Sequence, residues 1–354
     1  MSYVIEVYRG KYKAERHLGI YALYVLFFPQ LIAGPIERPQ HLLSQLSQLK
    51  SAVKLQWTNI ATGIRLMGWG FFKKLVIADR IAVSVDYVYG NIAHVPGLSI
   101  FAAIVFFAVQ LYTDFSGYSD IARGSARVLG IDVVKNFESP YFSISIAEFW
   151  RRWHISLSSW FRDYLYFPLA YSRKQASRGW LYVCVILTFL VTGLWHGAGW
   201  TFVIMGGLHG FYIVMGLITK PLRDKLPKIK ILQTLFTLAL VSFSWIFFRA
   251  PDLATARAFL ARLFTGWNIS WQMLADQYYA HPFNALGFSR LELIFSLVGI
   301  CILFGVEYVQ QRKPISIVLG RQLLFVRSFI YSSFIMIIIV FGVYTTHQFI
   351  YFQF

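Results

Sequence analysis

The sequence predicts an all-α fold, a polytopic transmembrane helical bundle with re-entrant and amphipathic interfacial helices around a central channel. Three observations carry that expectation. Hydrophobic residues make up 57% of the 354 residues and charged ones only 14%, against about 25% charged in soluble domains. Apolar runs of roughly 20 residues, the length that a bilayer core of about 30 Å demands of a helix, recur from end to end of the chain. The stretch 181–219 contains no Asp, Glu, Lys or Arg.

Residues 1–10 have no basic region ahead of their short apolar stretch, which argues against a cleavable signal peptide. They read as the tail of a helix that begins upstream. Candidate spans follow at 18–34, 59–78, 96–113, 181–196, 199–219, 231–248, 291–307 and 327–343. The first ends in Pro29 and Gly34-Pro35, and the second carries Arg65, Lys73 and Lys74. Re-entrant or interfacial pieces are therefore expected beside true spans. The run 254–260 reads as an amphipathic surface helix, followed by a Trp- and Tyr-rich stretch suited to the membrane interface. No linker or repeat divides the chain, so residues 1–354 are expected to form one integral-membrane domain.

The formal charge of +17 raises the question of nucleic acid, but the basic residues cluster at 9–16, 73–80, 123–135, 151–178, 220–230 and 312–327. Short basic clusters between apolar runs are loops held on the cytoplasmic side. No nucleic-acid partner is expected. Cys184 and Cys301 both lie in apolar runs without metal-ligand spacing, so packing roles and no metal site are expected.

His196, in Leu194-Trp195-His196-Gly197-Ala198-Gly199-Trp200, lies inside the uncharged stretch. Hydrocarbon penalises a titratable side chain, and one found there usually faces a bundle interior or a wet cavity. A single helix over 181–219 would be about 58 Å long, more than a membrane hides. Gly197 and Gly199 mark the expected break, giving a hairpin whose basic flanks lie on the cytoplasmic side and whose tip carries His196. His209 falls on another helix face and reads as a packing or hydrogen-bonding histidine.

From Glu148 to Tyr164, helical spacing places Phe149, Trp153, Leu157, Trp160 and Tyr164 on an apolar stripe and Arg151, His154, Ser158 and Arg162 on a polar one. An amphipathic helix bearing a histidine is expected. It serves either as a membrane-lipid anchor or as the floor of a reaction chamber whose cations attract a phosphate-bearing donor. The polar island from Asp114 to Asp120 follows an apolar run, and Asp114 and Ser116 there form either a cap or turn or a substrate contact. No Gly-rich phosphate loop, zinc-type cluster or nucleophile elbow is present. Covalent catalysis has no clear candidate.

Glu148-Phe149-Trp150-Arg151-Arg152-Trp153-His154-Ile155-Ser156-Leu157, the run from Trp160 to Tyr166, and Gly193-Leu194-Trp195-His196-Gly197 strongly resemble the membrane-bound O-acyltransferase family. The runs from Phe28 to Ile36, Asp114 to Asp120 and Phe349 to Phe354 resemble its alginate O-acetyltransferase branch. The resemblance implies a bacterial inner-membrane enzyme that moves an acyl group, on this reading acetyl, from a cytoplasmic thioester donor such as acetyl-CoA to a hydroxyl on the far side. It implies no bound cofactor, and as partners periplasmic acyl-handling proteins and an exported polysaccharide. It makes His196 the essential residue and His154 a second functional position. Asp114, Ser116, Tyr118, Arg152 and Trp195 are the accompanying substrate-binding candidates. Family members usually carry further helices before the point matching Ser2 to Gly10, so the chain is expected to be short at that end.

The chemistry suits the bare residues. A thioester is already activated, so transfer to a hydroxyl needs mainly a base that is neutral near pH 7 and close positioning of two substrates. A buried imidazole meets the first need. Two rivals fit a buried histidine on physical grounds: a transporter or channel with His196 lining its path, and an inactive scaffold. No linear motif selects among alginate, cellulose, peptidoglycan, teichoic acid or another exopolysaccharide as the acceptor.

Overall fold

The structure, a computed structural model, describes residues 1–31, 33–48, 56–225, 227–265, 267, 286–344 and 349. Among them every regular element is helical, and six helices are long and apolar enough to cross a membrane. The Trp- and Tyr-rich stretch after residue 267 and the terminal run 350–354 lie outside the described residues.

The span expected at 18–34 is not a single helix. Helix α1 (Leu18–Leu26) has nine residues, about 14 Å at 1.5 Å each, and stops where Phe27 turns extended before a 3₁₀ turn containing Pro29. Proline has no N–H to continue the ladder. The span expected at 59–78 lies within a longer helical rod made of α2 (Trp57–Phe71), a π-helical turn Phe72–Ala78 and α3 (Asp79–Gly90).

The largest departure concerns the span expected to end at 113. Helix α4 (Gly97–Val128) runs on for 32 residues through the polar island and is largely buried at the centre of the bundle. Neither Asp114 nor Ser116 caps a helix or makes a turn. Lys74 Nζ lies 2.8 Å from Asp114 and 2.7 Å from Asp79, while Lys73 Nζ lies 2.6 Å from Asp120 and donates to Ser116 Oγ at 3.0 Å. The π turn widens the backbone spiral there, and two consecutive lysines both reach α4. Charges that read as a helix end are neutralised from the neighbouring rod, which removes the reason for the helix to stop.

Glycines set the spacing of this crossing. A Cβ built on Gly63 would lie 2.6 Å from the Gly124 carbonyl oxygen, and one on Gly70 would lie 2.6 Å from that of Gly117. The pairing of 63 with 124 and of 70 with 117 makes the two helices antiparallel. In an apolar solvent, where helices gain little from hydrophobic burial against each other, such small residues let backbones approach and dispersion act. We expect Gly70→Val to force the rods apart and cost about 1–3 kcal/mol, read as lower membrane accumulation and a lower unfolding midpoint in detergent. An unchanged midpoint would count against this close crossing.

The polar segment that precedes the uncharged hairpin folds as α5 (Ile146–Arg152), α6 (Ile155–Phe161) and a π-helical turn Arg162–Tyr166. The hairpin itself is α7 (Arg178–His196) and α8 (Trp200–Ile218). Its arms cross closely, since a Cβ on Gly193 would lie 2.2 Å from the Phe202 carbonyl oxygen and one on Gly206 equally near that of Phe189. Helix α9 (Lys230–Arg249) packs on α8 and α4. The expected surface helix is α10 (Leu253–Thr265), and α11 (Arg290–Gln310) and α12 (Leu324–Phe341) complete the described spans.

Candidate active site

Helix α7 ends at His196, with Gly197 and Gly199 both extended before α8 begins at Trp200. The break falls where the uncharged stretch predicts it. Its reason is packing rather than backbone freedom: a Cβ on Gly197 would lie 2.4 Å from the Phe202 ring. His196 is half-buried, with Trp195 and Phe248 rings against it at centroid distances of 5.0 and 5.4 Å.

His154 comes from a second, separate break. The expected continuous helix over 148–164 is interrupted, because α5 ends at Arg152 and α6 starts at Ile155. His154 between them is left-handed, φ +43° and ψ +53°, a conformation that costs a non-glycine residue about 1–3 kcal/mol and concentrates at functional sites. The broken ladder is satisfied by the extended segment before Pro140. Glu138 N–H donates to the Arg152 carbonyl, and the Asn136 carbonyl accepts from Ile155 N–H. Of the apolar stripe, Phe149, Trp153 and Leu157 are buried while Trp160 and Tyr164 are half-buried, and His154, expected on the polar stripe, is buried with the first three.

The His154 ring is buried, edge-on to Phe115 at 4.7 Å and 6.5 Å from Trp195. Trp195 therefore touches both histidines, and His196 lies near enough to act on the charge of His154. Burial first, and His196 second, push the His154 imidazole well below its ordinary 6.5. The folded ring then binds a proton less readily than the unfolded one, so its contribution to stability is present above about pH 6.5 and fades as pH falls below that. We expect the unfolding midpoint to drop between about pH 7.5 and 5.5, and less steeply in His154→Asn, which tolerates the left-handed backbone. An equally steep drop in that variant would place the titrating group elsewhere.

A cavity of about 450 Å³ lies between α5, α6 and the arms of the hairpin. Thr188 and Thr192 of α7 line it, with Arg151 and Arg162 among the polar lining groups. Residues four apart share a helix face, so the cavity ends one turn from His196 on the same side of α7.

The other candidates are placed unequally. Trp195 packs against both imidazoles. Tyr118 lies one turn along α4 from Phe115, stacks on Phe349 at 4.9 Å and donates to the Leu31 carbonyl at 3.0 Å. Arg152 pairs with Glu148 at 2.6 Å. Asp114 and Ser116 flank Phe115 but turn to Lys74 and Lys73, away from the face that Phe115 shows to His154. His209 is fully enclosed and accepts from Trp150 Nε1 at 3.2 Å, the hydrogen-bonding role expected of it. Linear reading missed Asn136, 18 residues before His154, and the Tyr112 hydroxyl bonded to Glu307. Neither has a spacing signal that ties it to its partner.

The family model for membrane-bound O-acyltransferases matches residues 17–254, a stretch that holds both breaks and both histidines. The chain belongs to the membrane-bound O-acyltransferase family. Among its relatives in that family, the probable alginate O-acetylase AlgI of Azotobacter vinelandii is 42% identical over 274 residues, which is 76% of this chain and 53% of the relative. The peptidoglycan O-acetyltransferase of Helicobacter pylori is 40% identical over 244 residues, 68% of this chain and 45% of the relative. The teichoic acid D-alanyltransferase of Bacillus subtilis is 30% identical over 221 residues, 58% of this chain and 53% of the relative. The chain thus spans about half the length of the relatives it matches. A multi-pass membrane protein follows from the family and from the six apolar helices together.

Proposed function

We propose that the protein is an O-acyltransferase of the bacterial inner membrane that carries an acetyl group from a cytoplasmic thioester, such as acetyl-CoA, to a hydroxyl destined for an exported polysaccharide. One observation carries the reading: two imidazoles, from two unrelated breaks in the helical framework, converge on Trp195. The relatives' names, a probable alginate O-acetylase, a peptidoglycan O-acetyltransferase and a teichoic acid D-alanyltransferase, support it.

In this reading His196 is the general base. Its ring takes the acceptor hydroxyl proton as that oxygen attacks the thioester carbonyl; the C–S bond then breaks, and the thiolate recovers the proton from the imidazolium. Proton and charge balance without a resident cofactor, the thioester being consumed as a co-substrate. His154 assists at the donor side, where Arg151 and Arg162 around the cavity supply positive charge for a phosphate-bearing donor. Trp195, Tyr118 and Arg152 are assigned to substrate binding, whereas Asp114 and Ser116 hold α4 to the lysine rod. Exclusion of water between aromatic rings protects the thioester from hydrolysis. Periplasmic acyl-handling proteins and the polymer itself are the partners this reading requires.

Substituting His154 by Gln is expected to lower transfer by about 100-fold or more without loss of the protein from the membrane, measured as labelled acetyl delivered in membrane vesicles. Wild-type transfer in that variant would return α5 and α6 to a lipid-anchoring role.

A further inference from the structure

Asn136 lies outside the runs on which the resemblance above rests, yet it is almost wholly buried and makes three bonds at the break that presents His154. Its side-chain Oδ1 faces Ser156 N–H at 3.2 Å, Ser156 Oγ at 2.7 Å and His154 Nδ1 at 3.3 Å. A backbone N–H can only donate. The atom opposite Ser156 N must therefore be the amide oxygen, which excludes the flipped amide. The atom facing Nδ1 is then an acceptor as well, and a neutral imidazole can meet it only with its proton on Nδ1. Ser156 Oγ in turn accepts from Ile36 N–H at 3.0 Å, which directs its own proton to Asn136 Oδ1 and holds the amide from a second side.

We propose that Asn136 is a positioning residue for the transfer reaction, fixing His154 as the Nδ1–H tautomer and so leaving Nε2 as its proton-accepting nitrogen. This rests on the acyltransferase reading given above and narrows the part His154 plays in it. A neutral ring held in this way has no second N–H to offer a thioester carbonyl; its free Nε2 can only accept a hydrogen bond or a proton. The hydrogen bond to the ring nitrogen opposite the working one is the general means by which proteins select a histidine tautomer.

Asn136 also satisfies the first N–H groups of α6, its carbonyl accepting from Ile155 and its Oδ1 from Ser156, and an ordinary capping role predicts part of the same behaviour. Asn136→Asp separates the two. Among the described residues Asn136 Nδ2 has no hydrogen-bond partner, so replacing it with oxygen keeps every capping bond while setting a carboxylate against Nδ1–H. Around the ring stand Phe115, Phe137 and Trp195, none titratable, and His196 is the titratable group that acts on it. A carboxylate at this range raises an imidazole's proton affinity by about 1–3 pH units.

Three measurements on the membrane-embedded protein test the proposal. Nitrogen-15 NMR of histidine-labelled protein, with His154 assigned by its loss in His154→Gln, should show a protonated Nδ1 and an unprotonated Nε2; the opposite tautomer overturns the proposal whatever the activity. Transfer by Asn136→Asp should lose activity on the acid side first, the acid limb of its pH profile moving up by about 1–3 units, whereas a limb that stays in place leaves Asn136 as a cap alone. Asn136→Ala should cost about 10- to 100-fold in turnover and add no further loss in a His154→Gln background, while additive losses would show that it does not act through His154. Absence of transfer by the wild-type protein supplied with a thioester donor and acceptor would instead reject the acyltransferase reading, an outcome that leaves the NMR result standing.

Discussion

Replacing His196 by Ala or Gln removes acyl transfer, by at least about 100-fold as expected for loss of a general base, while the protein still accumulates in the membrane. The ring sits at the C-terminal end of α7, half-buried among aromatic neighbours, so its loss leaves the hairpin crossing at Gly193 and Gly206 intact. The measurement is acetyl content of envelope polymers, by mass spectrometry, in cells carrying each variant, with membrane abundance followed in parallel. Normal acetylation in a well-expressed variant rejects the role of His196 and favours the scaffold alternative. Loss of acetylation together with loss of protein points to folding, and His196→Asn then tests the role with a smaller change of shape.

The second large effect concerns stability. Lys74 stands between two nearly buried carboxylates, Asp79 and Asp114. Removing the ammonium leaves both without its compensation in the bundle interior, and breaking a buried pair from one side costs about 3–5 kcal/mol. Lys74→Met should therefore unfold at a much lower temperature in detergent and accumulate poorly. Adding Asp79→Asn and Asp114→Asn to the same chain should restore most of the loss, because neutral amides no longer need the cation. A triple variant as unstable as Lys74→Met would show that the lysine's stem, not its charge, holds the crossing. Asp114→Asn alone bears on the site: full stability with lost transfer would return Asp114 to the substrate-binding residues, and the reverse keeps it with the helix contact.

Much of the membrane architecture was legible in the chain because hydrocarbon is a demanding solvent. Five of the expected spans, those at 181–196, 199–219, 231–248, 291–307 and 327–343, match helices within a few residues of their ends. The break after His196 was legible for the same reason, since the uncharged stretch is longer than a bilayer can cover and holds two glycines at one point. The errors share a different cause. Pro29 stops α1 earlier than hydropathy indicates, and α4 continues past Asp114 because Lys73 and Lys74, some forty residues earlier in the chain, neutralise its carboxylates. The helix bearing His154 breaks although its periodicity is unbroken, because Asn136 and Glu138 take up the freed backbone groups from outside it.

The amino-acid order alone determined that the chain is a helical membrane protein, which runs of it cross, and that His196 is an ionisable group held in a stretch without charges, all consequences of what each short segment can afford to expose to lipid. Only the tertiary structure decided that His154 and His196 meet at Trp195, that Asp114 and Ser116 belong to a helix crossing, and that the Asn136 amide faces the ring of His154. Those outcomes depend on hydrogen bonds and ion pairs between residues far apart in sequence, whose energies arise from distance and desolvation in the folded bundle and leave no periodic trace along the chain.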